Sequence, residues 1–149
     1  MIADGVEQNG WFVVNYAPRV DSDDADEFFS YTVGLGKTAG WPELICFGLP
    51  EQQARILLTN ALADCWKHNT APRDSLDLHE VVEGFSAKLG AFNAAAPRYF
   101  HFADWHADQA GIARLGRLQL LWPDRAGVLP DDDRCDPEVR AKQTPSEAA

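Results

Sequence analysis

Three things are missing from this chain, and each absence removes a class of function. There is no basic stripe: 13 Lys and Arg stand against 23 Asp and Glu, for a formal net charge of −10 over 149 residues. Binding to nucleic acid draws much of its affinity from cations laid along phosphates, so no nucleic-acid partner is expected. There is no long apolar run either. A membrane-spanning helix needs about 20 such residues, and the N-terminus lacks the basic start and apolar stretch of a secretory signal. No membrane association is expected, and the chain reads as cytoplasmic. Finally, Cys46, Cys65 and Cys135 are odd in number and widely spaced, with no Cys-x-x-Cys pair, which argues against a disulfide framework and against structural zinc. Cys46 and Cys65 sit in apolar runs and are expected to be buried; Cys135, in an acidic C-terminal stretch, is expected to be exposed.

Complete catalytic patterns are absent as well. No Gly-x-Ser-x-Gly elbow occurs, and Gly34-Leu-Gly36-Lys37-Thr38 lacks the spacing of a phosphate-binding loop. His101 and His106 are five apart, about 140° around a helix rather than on the shared face of an i, i+4 metal pair. His79-Glu-Val-Val-Glu83 lacks the second histidine of a zinc-protease motif. No metal and no cofactor are expected.

What is present is ample material for one core. The apolar share is 46%, with five Trp, eight Phe and three Tyr, enough for a single globular domain at this length. The acidity is concentrated: residues 21 to 27 carry five acids and no base, and residues 131 to 149 carry six acids against three bases. The globular domain is expected to span residues 1–130, and 131–149 to form an acidic, flexible tail, because large apolar residues nearly vanish after Pro130.

Runs rich in β-branched and aromatic residues predict strands at Trp11–Tyr16, Phe28–Leu35, Glu43–Leu49, Leu78–Val82, Phe85–Phe92 and Arg117–Trp122. The second and third should form an antiparallel hairpin with a broad loop. Pro50 suits the first turn of a helix, and Ala54, Leu57, Leu58, Ala61, Leu62 and Cys65 recur at helical spacing to about residue 67. A second helix is expected from Pro97 to Gly111. The fold class is α+β: a mainly antiparallel sheet with two packed helices.

Two constellations carry candidate chemistry. In the first, Tyr31 and Thr32 face opposite sides of a strand, Gly34 and Gly48 suggest close approach by a backbone, a ring or a ligand, and Glu43 opens an apolar run where a carboxylate needs a partner. Two packed strands and a ligand pocket both fit. In the second, Gln119 and Trp122-Pro-Asp124 end a strand; Asp124 suits a turn-capping role and Trp122 a flat wall for a small molecule.

Tyr31-Thr-Val-Gly-Leu35, Pro42-Glu-Leu44, Gly48-Leu-Pro50 and Gln119 with Trp122-Pro-Asp124 make the chain resemble the bacterial domain of unknown function 4262 family over roughly residues 11 to 130. The order of these motifs also resembles Suppressor-of-Fused-type domains, some of which look like bacterial immunity proteins. The resemblance implies a fold and leaves activity open. The leading expectation is a non-enzymatic binding or protein-interaction module, immunity-like or accessory. Its ligand, an unknown protein or small molecule, would lie in a groove edged by Tyr31, Glu43 and Trp122, with Thr32, Gly34 and Asp124 as further candidate ligand-binding residues. The alternative is a small enzyme using Glu43 or Asp124 as acid or base beside Tyr31 and a histidine.

Overall fold

A computed structural model describes residues 11–16, 29–35, 39–82, 84–92, 99–111 and 117–144. The acidic run at residues 21 to 27 lies outside them. The strands are β1 (Phe12–Tyr16), β2 (Phe29–Val33), β3 (Glu43–Phe47), β4 (Asp77–Val82), β5 (Phe85–Ala91) and β6 (Arg117–Leu121), and the helices α1 (Glu51–Lys67), α2 (His101–Ala110) and α3 (Pro137–Lys142). All six strands form one sheet in the order β1-β2-β3-β6-β5-β4. The class is α+β, but the expected mainly antiparallel sheet is instead mixed, because β3 and β6 pair in parallel, Glu43 opposite Arg117. The cause lies in α1. It returns the chain after β3 so that β4 starts in the direction of β3; two antiparallel steps, β4 to β5 and β5 to β6, then bring β6 back parallel to β3.

The sheet has a helix on each face. Alternation along the strands sends Leu44, Cys46, Leu118 and Leu120 toward α1, whose Ala54, Leu58, Ala61, Leu62 and Cys65 are buried against them. The opposite face is aromatic. Phe29, Tyr31, Ile45 and Phe47 meet Phe92, Tyr99 and Phe100 there, with Tyr99 edge-on to Phe29, Phe47 and Phe92 at 5.0, 5.4 and 5.3 Å. Each such edge-on pair adds about 0.5–1.5 kcal/mol beyond its buried area.

α1 also closes an edge of the sheet. Asn60 Nδ2 donates to the Val81 carbonyl at 3.1 Å, and the Asp64 carboxylate accepts the His79 N–H at 3.2 Å. These are outward-pointing groups of β4, a strand that pairs only with β5 among the described residues, so two sites for edge-to-edge pairing are occupied.

Residues 131 to 144 pack where a loose tail was expected. Asp136 caps α3 by accepting the Glu138 N–H at 2.9 Å. The Gln143 side chain is buried and pairs with both backbone groups of Trp122, each at 2.9 Å. Gly48, at φ +83°, lies so near that a Cβ there would fall 2.8 Å from Lys142 Cβ. Cys135, expected to be exposed, is buried at 3%. This segment is held by amides, caps and a glycine contact instead of apolar bulk, which is why an apolar count misses it. Residues 145–149 lie outside the described residues.

Candidate binding surface

Glu43 is the hub of the first constellation, and its role there is to hold backbone. Its Oε1 accepts from the Thr32 hydroxyl at 2.8 Å and the Leu35 N–H at 3.3 Å, and its Oε2 from the Gly34 N–H at 3.2 Å. Thr32 Oγ1 in turn accepts the Leu44 N–H at 2.9 Å. The chain leaves β2 through Gly34 at φ +108°, a conformation that frees the next two N–H groups from the ladder and aims them at one carboxylate. Beside Glu43, Arg117 is ion-paired with Asp104 and lies 4.5 Å over the Phe100 ring. Burial lowers the Arg117 pKa, and the neighbouring Glu43 opposes that shift.

Tyr31 is near this group in sequence but faces elsewhere. Its ring is sealed in the aromatic layer at 2% exposure, and its hydroxyl accepts the Phe102 N–H at 3.1 Å, satisfying a donor in the first turn of α2. Burial raises the Tyr31 pKa, with the Phe102 bond pulling weakly the other way.

Trp122 and Asp124 lie at the other end of the sheet. Because Arg117 pairs with Glu43 and Trp122 follows five residues later, the two ends are separated by roughly 16 Å of strand. Trp122 Nε1 donates to the Phe47 carbonyl at 2.8 Å. Asp124 accepts N–H groups from Ala126, Val128 and Asp136, each at 2.9 Å, which ties the turn after β6 to the start of α3. Those bonds, Asp136 first, hold its pKa below the ordinary 3.8. The structure thus brings Thr32, Gly34 and Glu43 together and does not bring them to Trp122 and Asp124; Tyr31, Glu43 and Trp122, expected to edge one groove, face three different places.

The Trp122 end opens instead onto an apolar hollow of about 210 Å³. Among the described residues its walls are Leu49, Ile56, Leu57, Val82, Trp122 and Pro123, with Gln53 the one polar lining residue. Ile56 is 49% exposed on its rim. Trp122 and Pro123 belong to the second constellation and Leu49 to the Gly48-Leu-Pro50 motif, but the sequence does not point to the wall from α1: Leu57 reads as core by its helical spacing, and Ile56, adjacent to it but off the core face, is the available signal.

A second hollow of about 210 Å³ lies at the far end of α1, between Asp64, Cys65, His68 and Thr70 on one side and Leu76 to His79 on the other. Asp64, buried at 5% exposure, meets His68 Nδ1 at 2.8 Å. No group of three or more His, Cys, Asp or Glu side chains among the described residues is placed to hold a metal ion, and no helix among them is long and apolar enough to cross a membrane.

These features define a small α+β protein with one helix-flanked mixed sheet and an open apolar hollow at one end. The chain belongs to the family described as domain of unknown function (DUF4262), whose model matches residues 5–136. No curated protein and no solved structure matches it.

Proposed function

We propose that this protein is a non-enzymatic, cytoplasmic interaction module that grips one large apolar side chain of a protein partner in the hollow between α1, β4 and Trp122. The observation that carries this is the hollow itself: about 210 Å³, open, and lined by six apolar residues and one amide. Small-molecule sites run to ~300–1,000 Å³ and carry several convergent polar groups. A single Leu- or Phe-sized anchor suits this space better, and interfaces concentrate their energy in such anchors. The acids that would serve an enzyme are engaged elsewhere. Glu43 accepts from Thr32, Gly34 and Leu35, and Asp124 from three backbone groups.

Selection from a random-peptide display library tests the reading. Peptides recovered on the parent protein should share one Leu, Ile, Met or Phe, and Ile56→Glu should abolish their recovery while keeping the parent melting temperature, since the side chain is half exposed. Recovery that is indifferent to Ile56→Glu would overturn it.

A further inference from the structure

Both hollows belong to one seam. Gln53, Leu57, Asn60 and Asp64 follow one another at three- and four-residue steps, so they form a single stripe of α1, which His68, the C-cap residue, continues. That stripe runs along β4: Leu57 and Val82 meet in the apolar hollow, Asn60 bonds Val81, Asp64 bonds His79, and His68 faces Asp77 and Leu78 across the second hollow. Four residues of β4 or about ten of α1 separate the two, which is roughly 13–16 Å. An extended chain covers that distance in about four or five residues.

The two ends differ in chemistry. At the second hollow the polar walls present acceptors. His68 Nδ1 lies 2.9 Å from the Asp64 carbonyl and 2.8 Å from its carboxylate; both partners accept, so Nδ1 donates to Asp64. The Thr70 hydroxyl donates to the His68 carbonyl at 3.1 Å, which leaves its lone pairs outward. Asp77 adds an exposed carboxylate; among the described residues no Lys or Arg lines the hollow, and Lys88, opposite Asp77 in the register, is ion-paired with Asp131. A space walled this way favours a ligand that brings donors and positive charge, and the net charge of −10 favours the same partner at long range.

We infer that the seam reads a two-part signature in an extended protein segment: a large apolar residue held beside Trp122, and a Lys or Arg four or five residues away held between His68 and Asp77. This rests on the proposed anchor hollow and adds to it the sign and spacing of a second contact. The apolar hollow supplies desolvation without direction; the second hollow supplies specificity, because an acidic side chain there would face the carboxylates of Asp64 and Asp77.

A display library of dodecapeptides with one fixed leucine and all other positions random, selected on the full chain, provides the test. On the parent, Lys and Arg should be enriched about tenfold at four or five residues from the leucine, on one side of it, as expected for one charge-assisted hydrogen-bonded contact. Asp77→Asn should flatten that enrichment, and Asp77→Lys should replace it with Asp and Glu at the same spacing. Leucine peptides that depend on Ile56 but show no basic preference, or one that Asp77→Lys leaves unchanged, would overturn the two-part signature and leave the anchor hollow standing. Loss of the Ile56 dependence would remove both.

Discussion

At the residue scale, Glu43 is the side chain whose meaning changes most between sequence and structure. A strand-end carboxylate in water should tolerate Gln. Here both oxygens receive donors, so an amide would turn an N–H₂ toward the Thr32 hydroxyl or a backbone N–H. Glu43→Gln is expected to cost about 1–3 kcal/mol, the penalty for a partly buried group left mispaired; a denaturant midpoint equal to the parent's would contradict it. Gly48→Val should cost on the order of 2 kcal/mol or more, because φ +83° is strained for a β-branched residue and Lys142 occupies the space. The cysteines give a chemical counterpart. Burial pushes the Cys46 thiol up to about 12 and the Cys65 thiol up to about 11, and raises that of Cys135. The native protein should therefore react slowly with a thiol reagent such as dithionitrobenzoate at mildly alkaline pH, and quickly only after denaturation; rapid reaction of one thiol in the native state would show a group that opens.

At the element scale, much of the fold was legible. Periodicity placed α1 at 51 to about 67, and β1 to β6 were found within a few residues, because half-buried strands and an amphipathic helix write their faces into the sequence. Pairing was not legible in the same way. The parallel match of Glu43 with Arg117 joins residues 74 positions apart, and nothing local to either strand specifies it. The candidate site divided along the same line. Thr32, Gly34 and Glu43, neighbours across a hairpin, did converge; Trp122 and Asp124 did not, since their distance from Glu43 is set by β6 running parallel to β3. The second helix begins at His101, after Phe100 at φ +60°; residues 97 and 98, where the start was expected, lie outside the described residues. The contacts between α1 and β4 carry their own prediction. Asn60→Leu removes the side-chain donor to Val81 and should destabilise the protein by about 1 kcal/mol, with faster hydrogen exchange along β4. Unchanged exchange would show that the edge is protected by other means.

At the scale of the whole molecule, the packed segment after Pro130 ties together the Trp122 end of the sheet. Removing residues 131–149 deletes the Gln143 pairing with Trp122, the Asp136 N–H bound by Asp124, and the Lys142 contact at Gly48. Truncation after Pro130 should therefore lower the melting temperature by more than ~5 °C, the equivalent of about 1 kcal/mol or more at this size; a shift smaller than that would mean the segment adds no stability. Acid should loosen the same junction. The Asp124 carboxyl is depressed from 3.8 by its N–H donors, and Asp132, held by Arg134, is depressed to about 2. A depressed acid stabilises the fold fully above its unfolded pKa and loses that contribution as pH falls through the lower folded value. The indole N–H resonance of Trp122, adjacent to this junction, should therefore stay in place down to about pH 4 and move below it. A shift centred near neutrality would point to a histidine instead.

A protein that grips an apolar side chain beside Trp122 should show it in chemical-shift mapping. A peptide recovered by display selection, titrated into labelled protein, should move the Ile56 and Leu57 methyls, the Val82 methyls and the Trp122 indole, and leave the Tyr31 and Glu43 region unchanged. Perturbations centred on Thr32, Gly34 and Glu43, with the α1–β4 end silent, would contradict the account.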